Sequence, residues 1–292
     1  MQYVVFGASG YIGSYIYQQL SKDGFNVVGT CHKTLKYDKM VSYDIQKNSI
    51  DNVMSEIYDV DRTAIICIAQ SGIDWCYKNY SQAYDINVIK TQKLICELSQ
   101  NGFQIIYFST DNVFDGISGN YTEESQTHAI NKYGMMKEEM EHFLLANEPK
   151  VCIFRLPKVV SISKEKQNVF TEWTNQIIEG STRCIKGNYL SFVYIDDVYR
   201  SCLLAAEKKL HGLYNITGDE IYSRLEIVRK FYDMADITQI DVQEYDLDKF
   251  SFIDKRPLNI GMSNLKFKKE TGYQFKGMDS LISMYISNMN IH

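Results

Sequence analysis

The chain has 292 residues, 45% hydrophobic and 23% charged, the balance of an ordinary globular protein and not of a disordered or fibrous one. A formal net charge of −5 gives no electrostatic footprint for nucleic acid or an anionic membrane, so an anionic ligand has to be held by local groups. The longest apolar runs, such as 64–69, are strand-sized and too short to span a bilayer, and the seven cysteines form no C-x-x-C pair, which fits reduced thiols in a cytoplasmic protein better than disulfides or zinc.

The first segment, Gln2-Tyr3-Val4-Val5-Phe6, reads as a buried strand. Because the chain starts directly on it, a signal peptide is not expected. The strand runs into Gly7-Ala8-Ser9-Gly10-Tyr11-Ile12-Gly13 and an amphipathic helix over Tyr11 to Asp23. Strand, glycines and helix in this order predict a nucleotide site: Gly7 for the tight turn, Gly10 for close approach of a pyrophosphate, Gly13 for packing of helix on sheet. The helix N-terminus offers free N–H groups to phosphates. The spacing is G-x-x-G-x-x-G, which departs from the standard G-x-G-x-x-G fingerprint.

Gly24 reads as the stop of that helix, followed by strands over 26–30 and 41–43. Helical spacing covers 50–58, and 63–69 is a strongly apolar strand. A long helix is expected over 81–101, closed by Gly102, then a strand over 104–109, a helix over 131–147 and a strand over 151–156. Alternation of this kind predicts an α/β fold, a doubly wound parallel (Rossmann) sheet whose ligands bind at the C-terminal strand ends. The second half is less regular, with helices over 170–178, 196–207 and 224–235 and strands over 192–195 and 213–216. Residues 1–156 are expected to form the dinucleotide-binding domain, with segments near 190–218 returning to it. Residues 157–189 and 219–292 are expected to form mainly a smaller C-terminal substrate lobe.

The strongest chemical signal is Tyr133-Gly134-Met135-Met136-Lys137. On a helix the phenol and the ammonium four residues on share a face, and a nearby positive charge favours phenolate. Such a phenol can protonate a carbonyl oxygen. The same spacing occurs at Tyr43/Lys47 and Tyr245/Lys249; Tyr133 differs in following Ser109-Thr110-Asp111, which closes a strand where ligands bind. Both hydroxyls are expected to project toward the cleft, although strand-end capping also favours these residue types. The second strand ends in Thr30-Cys31-His32-Lys33, where NAD-binding chains carry an acid for the ribose 2′-OH. With no carboxylate in that run, His32 and Lys33 are expected to pair with a 2′-phosphate, favouring NADP(H) over NAD(H). Asp44 is a candidate partner for adenine. The scattered histidines suggest no metal site.

Gly7 to Gly13, Ser109-Thr110-Asp111-Asn112-Val113-Phe114-Asp115-Gly116 and Tyr133-x-x-x-Lys137 resemble the extended short-chain dehydrogenases/reductases, and within them the dTDP-4-dehydrorhamnose reductase branch. Tyr121-Thr122-Glu123-Glu124, Phe192 to Val198, Gly212 to Gly218 and Arg256-Pro257-Leu258-Asn259 extend the resemblance along nearly the whole chain. It implies an NAD(P)-dependent oxidoreductase that reduces a 4-keto nucleotide-linked sugar, a small-molecule substrate. Tyr133 would supply the proton, Lys137 would hold the nicotinamide ribose and keep the tyrosine pKa low, and Thr110 would orient the carbonyl. Asn87 would support the lysine through water. Gly7, Ser9, Gly10, Tyr11, Ile12, Gly13, His32, Lys33, Asp44, Ala69 and Lys137 would line the cofactor. Ser71, Asp111, Val113 and Arg256 would meet the substrate, Arg256 as a planar clamp for its diphosphate. The chain departs from the family at Arg155-Leu156-Pro157-Lys158-Val159-Val160, which lacks the usual aromatics and glycine, and at Ile260, where the family has a hydroxyl. An epimerase or dehydratase of the same superfamily, using Glu123 or Glu124, stays open. So does a regulatory role like that of the methionine adenosyltransferase beta subunit, which resembles the same branch. The chain is also compatible with a homodimer.

Overall fold

In the computed structural model the described residues are 1–32, 37, 39–58, 61–163 and 168–289. The chain opens with β1 (Gln2–Phe6), α1 (Tyr11–Lys22), β2 (Asn26–Cys31), β3 (Met40–Ser42), α2 (Asp51–Met54) and β4 (Arg62–Ile66). Then come α3 (Ile73–Lys78), α4 (Tyr80–Tyr84), a π-helical turn (Asp85–Lys90), α5 (Thr91–Gln100), β5 (Gln104–Thr110) and a 3₁₀ turn (Asp111–Val113). They are followed by α6 (Lys132–Asn147), β6 (Cys152–Leu156), β7 (Lys158–Val160), α7 (Val169–Glu179), β8 (Ser181–Ile185) and β9 (Tyr189–Tyr194). The last third holds α8 (Ile195–Lys208), β10 (Gly212–Asn215), β11 (Ile221–Ser223), α9 (Arg224–Met234), β12 (Asp241–Tyr245), α10 (Leu265–Thr271) and α11 (Met278–Met289).

The central sheet has seven strands in the order β10-β6-β5-β4-β1-β2-β3, every pair parallel. The order reverses at β1, so a crevice opens between the C-terminal ends of β1 and β4. Both faces are covered. One cluster packs Ile16, Leu20, Val198 and Tyr199 on one side, and another packs Leu94, Leu98, Met136 and Met140 on the other. This accounts for the continuous apolar runs of β1 and β4, whose residues are buried on both faces. The remaining strands form a three-stranded sheet, β11-β9-β7, and a two-stranded one, β12-β8, over an aromatic cluster that includes Phe170, Trp173, Phe231 and Tyr285.

The differences from the sequence reading are local. The helix expected over 81–101 is interrupted by the π turn at Asp85–Lys90. There the Thr91 hydroxyl donates to the Ile86 carbonyl at 2.7 Å, and Asn87 turns inward to exchange hydrogen bonds with the Gln70 backbone, 2.8 Å each way. Periodicity cannot reveal one extra residue in a turn, since the flanking residues keep helical spacing. The helix expected over 50–58 shrinks to α2, and the strand over 63–69 stops at Ile66.

Candidate active site

The glycine loop is shaped by backbone contacts. Gly7 has φ +87°, its N–H donates to the Thr30 hydroxyl at 3.0 Å, and its carbonyl accepts from Gly10 N at 3.0 Å. A Cβ on Gly13 would lie 2.3 Å from the Gly7 carbonyl oxygen, so only glycine lets α1 approach the loop. Gly10 caps α1 with no side-chain hydrogen bond, so the first N–H groups of the helix lack a side-chain cap at this loop. A cavity of about 440 Å³ opens there, lined by Gly7, Ser9, Gly10, His32, Asp44 and Ala69 among others. A cleft floored by glycines and helix N–H groups fits the pyrophosphate of a dinucleotide. Ile12 packs against the core, and Tyr11 lies on a second, larger cavity.

At the β2 end a carboxylate comes in from farther along the chain. The run Thr30-Cys31-His32 carries no acid, but β3 brings Asp44 beside it. His32 Nε2 stands 3.3 Å from Asp44 Oδ2, and Lys47 Nζ stands 3.5 Å from the same oxygen. Burial pushes the Asp44 carboxyl up, but the Gln46 N–H together with His32 and Lys47 outweighs it, so Asp44 is held below the usual carboxylate range. The pairing was invisible because it joins parallel strands across a crossover. Lys33 lies outside the described residues.

The second cavity, of about 860 Å³, adjoins the first along Gly10–Tyr11 and Gln70–Ser71. Thr110, Asp111 and Tyr133 meet on its wall. Thr110 ends β5, and its hydroxyl donates to Asp111 Oδ1 at 3.0 Å close to the Tyr133 phenol. Tyr133 sits in the first turn of α6, whose N-cap Asn131 accepts from Gly134 N at 2.8 Å and donates to Asn112 Oδ1 at 3.0 Å. A Cβ on Gly134 would stand 2.1 Å from the Asn112 carbonyl oxygen, so this glycine sets how closely Tyr133 approaches Thr110. In the sequence Gly134 is marked only as a lone glycine inside a helical pattern.

Lys137 is buried one turn on. Its Nζ donates to the Phe108 carbonyl at 2.7 Å and to the Tyr107 phenol at 2.9 Å. Burial lowers its pKa to about 7 against the opposing charge of Glu141. Tyr133 departs from the expected lowering: burial and then Asp111 raise its pKa, and the Thr110 hydroxyl is what favours phenolate. Burial lifts Asp111 to about 6, against hydrogen bonds from Thr110 and Asn112.

Three further expectations are corrected. Ser109 turns away from the cleft, and its hydroxyl donates to Glu141, as alternation along β5 requires. Val113 is fully buried with Phe114, Tyr121 and Met262, away from the cavity wall. Glu123 accepts from Asn215 N at 2.8 Å, and neither it nor Glu124 lines the cavity. Ser71 and Arg256 do line it. Arg256 donates to Asp74 Oδ1 at 2.8 Å and to the Asp254 carbonyl at 3.0 Å, and its guanidinium lies 4.5 Å from the centre of the Phe252 ring. Lys158, Arg183 and Arg224, which the sequence reading did not single out as binding residues, share the wall. No cluster of three or more metal-ligating side chains occurs among the described residues, and none of their helices is long and apolar enough to cross a membrane.

A doubly wound sheet with a glycine loop after β1 and a Tyr-x-x-x-Lys helix after β5 is the framework of an extended short-chain dehydrogenase/reductase. The RmlD substrate binding domain family matches residues 1–291, and the chain belongs to that family, the dTDP-4-dehydrorhamnose reductase-like branch. Among curated relatives, methionine adenosyltransferase 2 subunit beta of Xenopus tropicalis is 25% identical over 235 residues, 77% of this chain and 69% of that protein. The fold is that of the dTDP-4-dehydrorhamnose reductase of Clostridium acetobutylicum, with TM-score 0.86 and 24% identity over 99% of this chain and 100% of that one. The dTDP-4-dehydrorhamnose reductase of Bacillus anthracis, solved in complex with NADP, superposes with TM-score 0.85 and 21% identity over 98% and 99% of the two chains.

Proposed function

We propose that the chain is a nicotinamide-dependent reductase of a nucleotide-linked 4-keto sugar. The observation that carries this reading is the meeting of Thr110 and Tyr133 where the glycine-loop cavity opens into the larger one. When bound in the smaller cavity, the dinucleotide supplies the hydride. Tyr133 donates its phenolic proton to the carbonyl oxygen, and the Thr110 hydroxyl orients that oxygen. Lys137, held by Tyr107 and Phe108, lies one helical turn behind the phenol to hold the ribose. Arg256, fixed by Asp74 and by Pro257, faces the diphosphate. Residues 1–156, with segments near 190–218 that include α8 and β10, serve the cofactor, and most of the remainder serves the sugar nucleotide.

Likeness to methionine adenosyltransferase beta subunits favours a second reading, a cofactor-binding regulatory subunit. Stoichiometric oxidation of NADPH or NADH by a 4-keto nucleotide sugar, with the reduced sugar recovered, supports the reductase. Binding of both ligands with no turnover under any of these conditions supports the regulatory subunit instead.

The cofactor we propose is NADP(H), held at its 2′-phosphate by His32 and Lys47 around Asp44. A charge-assisted hydrogen bond is worth roughly 1.5–3 kcal/mol. His32→Asp is therefore expected to weaken NADPH by ~10-fold or more and leave NADH nearly unchanged, whereas Asp44→Asn tightens NADPH by removing a like charge. Dissociation constants from fluorescence titration decide it; equal affinities for NADPH and NADH in the parent protein would rule this choice out.

A further inference from the structure

The larger cavity holds more positive charge than its own carboxylates answer. Arg224 donates to Glu172 Oε1 at 2.7 Å, and Arg256 is paired with Asp74. Arg183 lies over the Tyr245 and Phe250 rings, 4.7 and 5.0 Å from their centres, and donates to the Lys249 carbonyl at 2.9 Å. Lys158 stands apart from these. It has no ion-pair partner within 4.0 Å among the described residues, although it lies near Asp111, Glu172, Arg224 and Arg256. Its place in the fold is fixed. Leu156 of β6 pairs with Thr110 of β5, Pro157 follows, and Lys158 begins β7 opposite Phe192 of β9. Its ammonium therefore enters the cavity beside the reacting end of the site, marked by Thr110 and Asp111, on a backbone held by a strand pair and a proline.

We propose that Lys158 is a specificity-determining residue that reads an anionic group on the sugar itself, and that the preferred substrates are nucleotide sugars bearing a carboxylate near the reacting carbon. The proposal rests on the nucleotide-sugar reading above. The Lys158 side chain is open to solvent in the empty cavity, and a sugar seated there covers its ammonium, which then gains more from a carboxylate partner than it would in bulk water. A neutral sugar in the same place leaves that ammonium stripped of water and unpaired, which costs affinity. Arg183 and Arg256 are left to the diphosphate, so the two anionic parts of the ligand have separate partners.

The test uses the full chain with the oxidised cofactor bound and measures dissociation constants for UDP, UDP-glucose and UDP-glucuronic acid, and for the matching dTDP series. The parent is expected to bind the carboxylated sugar nucleotide ~10- to 100-fold more tightly than the neutral one, the size of one charge-assisted hydrogen bond. Lys158→Gln should abolish that difference and leave the free nucleoside diphosphate unaffected, while Lys158→Arg retains part of the preference. Equal affinity of the parent for the neutral and carboxylated ligands overturns the proposal. So does an equal loss for all three ligands in Lys158→Gln, which would move the lysine to the diphosphate. In both of those outcomes nucleoside diphosphates still bind and the nucleotide-sugar reading stands. Absence of binding by either diphosphate series removes that reading and this one with it.

Discussion

Tyr133→Phe should lower turnover of a keto-sugar nucleotide by ~10²–10⁴-fold, the usual contribution of a positioned general acid, and leave cofactor affinity near that of the parent. The ring is retained, so its packing in the first turn of α6 survives, and Gly134 and Asn131 still fix that turn against Asn112. What is lost is the proton beside the Thr110 hydroxyl. The phenol starts from an unpromising position, because burial and Asp111 both oppose phenolate. That arrangement suits an acid, which must hold its proton until a carbonyl oxygen arrives. Thr110→Val tests the coupling: it removes the hydroxyl that favours phenolate and orients the carbonyl, so it should reduce kcat more than it changes KM. If single-turnover kinetics show Tyr133→Phe reducing the sugar at the parent rate, another group is the acid.

The parts of the site legible in the sequence are those set by local chemistry. Gly7 and Gly13 could be read because a turn with φ +87° favours glycine and because a Cβ on Gly13 would lie 2.3 Å from the Gly7 carbonyl oxygen. Tyr133 and Lys137 could be read because a helix fixes what lies four residues apart. The parallel sheet followed from apolar strands alternating with helices, and the matched neighbours have the same fold. What escaped depends on long-range pairing. Asp44 reaches His32 across the β2–β3 crossover, and Lys158 reaches the reacting end only because β6 and β5 are in register. Ser109 and Thr110 looked equivalent as letters, yet strand alternation sends one toward Glu141 and the other to the cavity. Val113 carried a family-like motif, but its side chain serves packing around Phe114 and Tyr121.

The largest stability effect is expected beneath the site, at Glu141 and Arg155. Glu141 lies one turn beyond Lys137 on α6, and Arg155 is the fourth residue of β6. Arg155 Nε contacts both Glu141 oxygens at 3.0 and 3.1 Å, and its Nη2 donates to Oε2 at 2.6 Å. Both side chains are almost fully buried, at 4% and 1% exposure, so neither charge has water to fall back on. The Phe114 ring, 4.8 Å from the guanidinium carbon, and the Ser109 hydroxyl complete the surroundings. Removing one partner of such a pair leaves an uncompensated buried charge and typically costs ~3–5 kcal/mol. Arg155→Met and Glu141→Leu should each lose about that much in denaturant unfolding. The double variant should recover a large part, because hydrophobic side chains of similar size can replace a buried ion pair at little net cost. A double variant whose loss equals the sum of the two singles would show that the residues are not coupled. Glu141 and Lys137 share α6, while Lys137 donates its hydrogen bonds to Tyr107 and Phe108 of β5. Because Glu141 also opposes the burial that lowers the Lys137 pKa, the folded double variant should need a lower pH than the parent to keep Lys137 charged, which a pH profile of cofactor affinity would show.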